Sequence, residues 1–324
     1  MATYLITGGC GFIGSHLVDK LIEKQHQCIV VDDLSTGKKT NLNSKAELIV
    51  GDVSDEKLIQ QILADCDGCF HLAAVASIEK SNRDWLGTHR TNLTGSINIF
   101  DKARRENQPA LPVVFASSAA VYGDNQNIPL NELAKTKPLT AYGADKLGSE
   151  LHALIAAKVH HVPVTALRFF NVYGPRQDPN SPYSGVISIF VNNILQAKPI
   201  TIYGDGEQTR DFIYVADVVR YCLQAMERLT KPGFEVYNVC TGNKTNLLEL
   251  IKIITTIFNK HPEIIMQERR QSKARTQIHF SERRRGDIQE SLGDPNQAIE
   301  QLGVVAKFNL NSGLETMLTS RRVD

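Results

Sequence analysis

Short apolar runs rich in β-formers alternate, along the first half of the chain, with longer stretches whose apolar residues recur at helical spacing. This alternation constrains the fold most, because it predicts parallel strands joined by helices that cover both faces of one sheet. The predicted strands are Tyr4–Thr7, Cys28–Val31, Leu48–Val50, Cys69–Leu72, Val113–Ala116 and Val164–Phe169. The fold class is therefore α/β, with a doubly wound parallel sheet.

The alternation loosens after Asn171. Residues 171–185, NVYGPRQDPNSPYSG, are rich in Pro, Gly and Asn, which predicts a long loop. The shorter helices and strands beyond it predict a smaller mixed α/β C-terminal domain over the carboxyl ends of the sheet. We place the sheet domain at residues 1–170, with a segment near 211–238 that returns to it, and the smaller domain at 171–324.

Composition and charge exclude several classes of protein. The 324 residues are 42% hydrophobic and carry a net charge of +1, which argues against a nucleic-acid or membrane partner. The basic stretch Arg269–Arg285 is a local exception, but it lacks the interleaved aromatic residues of a nucleic-acid site. No run of about 18 apolar residues occurs and MATYLITGG does not resemble a signal peptide, so we expect a cytoplasmic protein.

The six cysteines are scattered through strand-like and helical stretches, which indicates reduced, buried thiols. Cys66 and Cys69 form one CxxC, at most half of a zinc site, so we expect ordinary packing and no metal.

A glycine-rich turn, TGGCGFIGSH, follows the first predicted strand. Gly8, Gly11 and Gly14 allow a tight turn, let the main chain approach a pyrophosphate, and let the helix beginning near Phe12 direct its amides at it. Asp32 ends the next strand, where a carboxylate bonds both ribose hydroxyls and repels a 2′-phosphate. The chain therefore predicts a Rossmann-type domain that binds NAD, not NADP.

Two adjacent serines, Ser117 and Ser118, end an apolar run in FASSAAVYGD, but a hydroxyl alone is a poor base. Tyr142 and Lys146, in AYGADK, lie one helical turn apart and share a face. An ammonium beside the phenol, helped by a positive nicotinamide, is expected to lower the tyrosine pKa from about 10 toward the working pH.

The chain as a whole resembles the extended short-chain dehydrogenase/reductase family, and within it the UDP-hexose 4-epimerases are most similar. The motifs that carry the resemblance are TGGCGFIGSH, DDLSTGKKTNL, GDVSD, FHLAAVASI, FASSAAVYGD, YGADK, LRFFNVYGPRQ, IYGDGEQTRDFIYVADV and RRGDIQES. The resemblance implies a UDP-sugar substrate and a catalytic trio of Ser118, Tyr142 and Lys146, with direct participation of the neighbouring Ser117 left open.

The resemblance also implies the residues of both binding sites. Those around NAD are Gly8, Gly11, Phe12, Ile13, Gly14, Asp32, Thr36, Gly37, Asp52, Val53, Leu72, Ala73, Ala74, Asn92, Tyr142, Lys146 and Phe170. Those around the nucleotide sugar are Ser77, Ser118, Asn171, Val186, Ile187, Tyr203, Arg210, Arg284 and Ser291. Arg210 and Arg284 would converge on the diphosphate, for which guanidinium groups are well suited. Ser77 serves equally well as a helix cap.

The mechanism that follows is 4-epimerisation. Tyr142 as phenolate would take the proton of the sugar 4-hydroxyl while hydride passes from C4 to NAD, and the transient 4-keto sugar would then turn over in the site. Related dehydratases and decarboxylases carry an acidic residue directly after the strand-end Ser/Thr, whereas Ala119 and Ala120 stand here. Ser291, at the position of the family's gate, leaves room for an N-acetyl group, which favours UDP-GlcNAc and UDP-GalNAc, with UDP-glucose and UDP-galactose as a further pair.

Three alternatives remain open: a UDP-glucuronate 4-epimerase, a net reductase of the same family, and a non-catalytic NAD-binding protein. The resemblance also implies a homodimer, through the helices predicted over Thr91–Arg105 and Tyr142–Lys158.

Overall fold

The computed structural model describes residues 1–105, 108–179, 185–264, 277–283 and 287–320. Its strands, numbered along the chain, are β1 (Thr3–Thr7), β2 (Gln27–Asp32), β3 (Glu47–Val50), β4 (Gly68–His71), β5 (Val113–Ser118), β6 (Pro163–Phe169), β7 (Asn171–Tyr173), β8 (Ile200–Tyr203), β9 (Thr209–Tyr214), β10 (Gly233–Val239), β11 (Lys244–Asn246) and β12 (Ile278–Ser281). Its longer helices are α1 (Phe12–Glu23), α2 (Glu56–Ala64), α3 (Ile78–Arg83), α4 (Trp85–His89), α5 (Gly95–Lys102), α6 (Ala141–His160), α7 (Val186–Leu195), α8 (Val215–Arg228) and α9 (Leu247–Lys260), followed by Asn296–Leu302 and Leu310–Thr319.

Seven parallel strands form the central sheet, in the order β10-β6-β5-β4-β1-β2-β3. The predicted doubly wound fold is confirmed, and each of the six predicted strands forms within about two residues of its expected ends. The strand order reverses between β1 and β4, which opens a crevice at the carboxyl ends of these strands. The seventh strand, β10, comes from the segment near 211–238; the division into two functional domains stays a prediction.

Helices cover both faces of this sheet because successive strand residues point to opposite sides. Ile6 packs with α1 and α8, whereas its neighbour Leu5 packs with α2, α5 and α6. Both side chains are fully buried, so the near-continuous apolar character of β1 reflects burial on two faces.

The C-terminal part has its own hydrophobic core between α7, α9 and the strands β8 and β9. The predicted loop 171–185 is wrong at its start, because Asn171–Tyr173 forms strand β7, which pairs in parallel with β9. The pairing places buried Tyr173 beside buried Tyr214, which gives these three residues an apolar partner that the loop composition conceals. Residues 180–184 lie outside the described residues.

In the described ranges, no helix combines the length and apolar character needed to cross a bilayer. All six cysteines are buried and free.

Candidate active site

The glycine-rich turn between β1 and α1 can be made only with glycine at its key positions. Gly8 has a φ of +71°, and a Cβ there would lie 2.8 Å from the main-chain nitrogen of Ala73. A Cβ on Gly14 would lie 2.2 Å from the Gly8 carbonyl oxygen. The turn brings the start of α1 directly against the crevice, so the free amides of its first turn form a cradle for a pyrophosphate.

Asp32 places a buried carboxylate beside this cradle, at the end of β2. Its Oδ2 accepts a hydrogen bond from the Cys10 main-chain nitrogen at 2.9 Å, and its Oδ1 accepts one from Leu34 at 2.9 Å. Burial raises the pKa of the carboxyl, and these two main-chain bonds act in the opposite direction. Gly37 covers the carboxylate at close range, since a Cβ there would lie 2.6 Å from Oδ1. The arrangement suits an acceptor for ribose hydroxyls.

A cleft of about 440 Å³ extends from this cradle across the carboxyl ends of the strands. It brings together most of the residues that the sequence assigns to NAD and to catalysis. Those that line it are Gly8, Gly11, Phe12, Ile13, Gly14, Asp32, Thr36, Gly37, Asp52, Val53, Leu72, Ala73, Ala74, Ser117, Ser118, Tyr142, Lys146, Phe170 and Asn171.

Asn92 stands behind the cleft wall and is not among its lining residues. It lies in a π-helical turn, Arg90–Thr94, that joins α4 to α5. Its Oδ1 accepts from the Val75 main-chain nitrogen at 2.7 Å, and its Nδ2 donates to the Val75 carbonyl at 3.1 Å. Asn92 thus fixes the main chain of Val75, which does line the cleft, while its direct contact with NAD stays a prediction.

Ser118, Tyr142 and Lys146 meet at the inner end of the cleft. Ser118 ends β5, and α6 begins nearby with the Thr140 hydroxyl capping it by accepting from the Gly143 nitrogen at 3.1 Å. Lys146 is only 2% exposed, and its Nζ lies 5.8 Å from the centre of the Tyr142 ring. Helical spacing therefore puts a cation and a phenol on one face beside the strand-end hydroxyl, as predicted.

The pKa of Tyr142 is shifted by its surroundings. Burial raises it above its ordinary value, and the Ser118 hydroxyl, as a hydrogen-bond partner, acts in the opposite direction. Among the protein's own groups, removal of the phenol from water dominates. The predicted lowering by Lys146 together with the positive nicotinamide stays a prediction. Burial likewise lowers the pKa of the Lys146 ammonium to about 8, with the charge of Asp145 opposing it.

Ser117 belongs to a buried hydrogen-bond network next to this trio. Its hydroxyl donates to Glu150 Oε1 at 2.5 Å, and Glu150 forms a buried ion pair with Arg168 at 2.7 Å. Despite the opposing effect of burial, the Glu150 carboxylate raises the pKa of Arg168 above its ordinary value. The network connects β5, α6 and β6. Within it, the Ser117 hydroxyl hydrogen is used in the bond to Glu150.

Only some of the residues assigned to the sugar nucleotide lie in or next to the cleft. Asn171 lines the cleft, and Val186 and Ile187 start α7 directly after the lining residue Gly185. Ser77 caps α3 by accepting from the Lys80 nitrogen at 3.0 Å. Tyr203, Arg210 and Ser291 lie outside the cleft lining.

The two predicted diphosphate ligands cannot be compared directly, because Arg284 lies outside the described residues. Arg210 is largely buried, and its Nη2 donates to Asp287 Oδ1 at 2.6 Å. Burial lowers the pKa of Arg210, and the Asp287 charge opposes this. In this structure the Arg210 guanidinium is therefore paired with Asp287, two residues after the basic stretch Arg269–Arg285.

Sequence reasoning missed several polar residues at the mouth of the cleft. Lys38 donates to Asp178 Oδ2 at 2.6 Å, and Arg176 pairs with Asp19 at 2.7 Å, which links the segment after β7 to the opposite wall. Lys38, Arg176 and Asp178 all line the cleft. The signal lay in the turn sequences STGKK and GPRQD, whose long side chains reach across a gap that hydrophobic periodicity does not register.

The model of the NAD-dependent epimerase/dehydratase family matches residues 4–240 of this sequence. The chain belongs to this family. Its cofactor is NAD, which the glycine cradle and the buried Asp32 carboxylate fit.

Solved and curated relatives extend the likeness over the whole chain. A UDP-glucose 4-epimerase from Thermotoga maritima, solved with UDP-glucose, is 35% identical, with a TM-score of 0.88 over 99% of this chain and 98% of that one. A UDP-N-acetylglucosamine 4-epimerase from Methanobrevibacter ruminantium, solved with UDP-N-acetylmuramic acid, is 34% identical, with a TM-score of 0.87 over 98% and 97%. UDP-glucuronic acid decarboxylase 1 of Arabidopsis thaliana is 31% identical over 98% of this chain and 69% of that protein.

Proposed function

We propose that this member of the family interconverts the C4 epimers of a UDP-hexose. The observation that carries the proposal is the meeting of Tyr142, Lys146 and Ser118 at the inner end of the NAD cleft. The names of the Thermotoga and Methanobrevibacter relatives support the reaction class. UDP-GlcNAc and UDP-GalNAc are the proposed main pair, with UDP-glucose and UDP-galactose as a further pair.

Each residue of the trio has a separate task. NAD, when bound, supplies the hydride-accepting and hydride-donating chemistry at C4 of the sugar. Tyr142 takes the proton of the 4-hydroxyl and returns it, while Ser118 directs this proton transfer by hydrogen bonding. Lys146 would hold the cofactor ribose. The transient 4-keto sugar then turns over, which requires a firm grip on UDP and a loose one on the hexose.

Anchoring of UDP is assigned to residues of the C-terminal part. We propose that Arg210 and Arg284 bind the diphosphate and that Tyr203, Val186 and Ile187 contact the nucleotide. The Arg210 guanidinium binds one anionic oxygen in this structure, that of Asp287, and guanidinium groups bind diphosphate oxygens in the same way.

Decarboxylation is the second candidate, because a decarboxylase is among the relatives. That chemistry needs a further acid or base next to the sugar. Ala119 and Ala120 follow Ser118 directly, and they open a short 3-10 turn, Ala119–Tyr122, that carries no acidic side chain. The chemistry of these positions favours epimerisation.

The preference for N-acetylated sugars rests on Ser291. It is 9% exposed, and its nitrogen donates to the Thr209 carbonyl at 3.2 Å. Two residues later, a Cβ on Gly293 would lie 2.7 Å from Cζ of Phe170, which lines the cleft. Although Ser291 is outside the cleft lining, its segment approaches the cleft at Phe170, and we propose that its small side chain leaves room for a 2-acetamido group.

A homodimer is proposed as the working assembly. Leu151, Ile155 and Val159 recur every four residues on α6 and are each more than half exposed. Such an apolar stripe on a helix suits a helix-packing interface.

The test of this function is Tyr142→Phe, matched with Tyr237→Phe in β10. Loss of the phenol proton carrier should lower the rate of C4 exchange by about 10²–10⁴-fold, while NAD content and UDP binding persist. Tyr237 is buried and bonds to Glu235 and Gln301, away from the cleft, so its variant should turn over normally. Near-normal exchange in Tyr142→Phe would refute the mechanism.

A further inference from the structure

A buried ion pair lies next to the strand end that carries Ser118. It joins Glu150 on α6 to Arg168 on β6 by two parallel bonds: Arg168 Nε donates to Glu150 Oε1 at 2.9 Å, and Nη2 donates to Oε2 at 2.7 Å. Replacing a buried ion pair by apolar residues of similar volume is often neutral or stabilising, so stability alone does not explain the pair. Its contacts with the surrounding residues indicate a second role.

The first contact fixes the residue directly before Ser118. The buried Ser117 donates its hydroxyl hydrogen to Glu150 Oε1 at 2.5 Å. In the pairing of β5 with β6, Arg168 stands opposite Ser117, and Phe169 stands opposite Ser118. The last strand residue before Ser118 is therefore bonded to the helix and lies beside the arginine of the neighbouring strand.

The second contact fixes the turn after Ser118. The chain continues into the 3-10 turn Ala119–Tyr122, and the buried Tyr122 hydroxyl accepts from Arg168 Nη1 at 2.9 Å. The same hydroxyl donates to Asn238 Oδ1 at 2.7 Å, and the guanidinium carbon lies 4.8 Å from the centre of the Tyr122 ring. The residue before Ser118 and the turn after it are thus both bonded to one ion pair.

Helix α6 carries the other half of the site. Tyr142, Lys146 and Glu150 follow one another at intervals of four residues, so they share one face of the helix. The Ser118 hydroxyl accepts from the Ala120 nitrogen at 3.1 Å and is also a hydrogen-bond partner of Tyr142. Glu150 therefore connects the helix that presents the phenol to the strand end that presents the serine.

We propose that this ion pair is a positioning pair, which sets the Ser118 hydroxyl against the Tyr142 phenol for proton transfer. The inference rests on the proposed function, because that function assigns the proton to Tyr142 and its direction to Ser118. It also gives Ser117 a role through its neighbour, since the Ser117 hydroxyl hydrogen is used in the bond to Glu150. Precise placement matters here, because a misplacement of about 1 Å in an active site can lower the rate about 10²-fold.

The main test is the double variant Glu150→Leu/Arg168→Met. It removes both contacts at once but leaves no buried charge unpaired, so the protein is expected to keep most of its stability. If the pair served stability alone, this variant would turn over normally. We expect kcat for C4 exchange to fall by about 10²-fold, while KM for the UDP-sugar stays close to that of the wild type, because the proposed UDP ligands are unchanged.

Two milder variants each remove one hydroxyl and keep the ion pair. Ser117→Ala and Tyr122→Phe should each lower kcat by about 2- to 10-fold, the effect of one ordinary hydrogen bond. Combined, they should approach the loss of the double variant, so the test does not depend on the folding of a protein without the ion pair. Tyr237→Phe is the matched control, because Tyr122 and Tyr237 are each 1% exposed and the Tyr237 hydroxyl bonds to Glu235 and Gln301.

The titration of Tyr142 provides a readout that needs no turnover. Tyrosine labelled with ¹³C at Cζ is followed by NMR against pH in the NAD-loaded protein, and the Tyr142 signal is assigned by its loss in Tyr142→Phe. The hydrogen bond with Ser118 acts to lower the pKa of Tyr142, so displacement of Ser118 should move the midpoint to higher pH. The shift is expected in the Glu150→Leu/Arg168→Met and Ser117→Ala/Tyr122→Phe variants and not in Tyr237→Phe.

The inference and the proposed function fail on different results. A Tyr142 midpoint that moves up in either combined variant supports the positioning role, even in a protein whose wild type epimerises no UDP-sugar; the absence of epimerisation would refute the proposed function alone. An unmoved midpoint in the combined variants overturns the inference. Normal kcat in these variants of an active epimerase would also overturn it, and would leave the proposed function intact.

Discussion

His71 lies at the centre of a buried hydrogen-bond chain that fixes its protonation state. Thr7 Oγ1 accepts from two main-chain N–H groups that follow β4, so its own hydrogen goes to His71 Nδ1, 2.8 Å away. The Nε2–H of His71 then donates to Ser96 Oγ at 3.1 Å, and Ser96 donates to the Asn92 carbonyl at 2.5 Å. A protonated ring would have a donor facing a donor at Nδ1, so the fold requires the neutral ring.

The pH dependence of the protein's stability should therefore include a contribution from His71. Burial lowers the pKa of His71 from 6.5 to about 3, with the Lys146 charge acting in the same direction. The unfolded chain then binds one more proton than the folded chain between these values, so stability falls as the pH falls below about 6.5. At about 1.36 kcal/mol per unit, the loss between pH 7 and pH 5 is about 2 kcal/mol.

The perturbation is His71→Gln, which hydrogen-bonds but does not titrate. The free energy of unfolding is measured in urea at pH 7 and at pH 5, for the wild type and the variant. The wild type should lose about 2 kcal/mol more than His71→Gln over this interval, whatever the variant costs at pH 7. The exposed His152→Gln on α6 is the control and should behave as the wild type. Equal pH dependence in His71→Gln and wild type would refute the reasoning.

Three further outcomes are expected. The Gly14→Ala variant should purify with little or no bound NAD, because its Cβ would lie 2.2 Å from a carbonyl oxygen; the NAD content is measured by chromatography after denaturation. The control variant Gly233→Ala has open space around the new Cβ and should keep NAD. Full NAD content in both variants would contradict the role of the glycine turn as a pyrophosphate cradle. The Arg168→Met variant should lower the free energy of unfolding, measured in urea, by about 3–5 kcal/mol, because it leaves the Glu150 carboxylate buried without its partner. Adding Glu150→Leu should recover much of this loss. An equal loss in the double variant would show that the unpaired Glu150 charge is not the cause. Ser291→Tyr should slow turnover of UDP-GlcNAc more than that of UDP-glucose, measured as kcat/KM for each, and an equal effect on both would contradict the gate.

The sheet and the NAD cradle could be predicted because their physical causes are local. A strand buried on both faces is mostly apolar, as β6 is apart from Thr165 and Arg168. A turn that a Cβ would block must carry glycine, as Gly14 does. Strand, turn and helix are contiguous in sequence, so their residue pattern can be recognised without any knowledge of the fold.

The features that the sequence did not predict depend on contacts between segments that are distant in sequence. Strand β7 forms because β9, about forty residues later, offers it an apolar partner, and the Pro- and Gly-rich composition hides this. Arg210 is paired with Asp287, and Asp145 with His89, through geometry that no spacing rule gives. The raised pKa of Tyr142 depends on how deeply it is buried, which composition does not report.

The central proposal is that this NAD-dependent enzyme epimerises UDP-GlcNAc at C4 with NAD that stays bound through purification. The measurement is proton NMR of the sugar C4 configuration when purified protein is incubated with UDP-GlcNAc, and separately with UDP-glucose, without added NAD. Conversion of UDP-GlcNAc to UDP-GalNAc is the predicted result. No conversion of either sugar, even after NAD is supplied, would contradict the account.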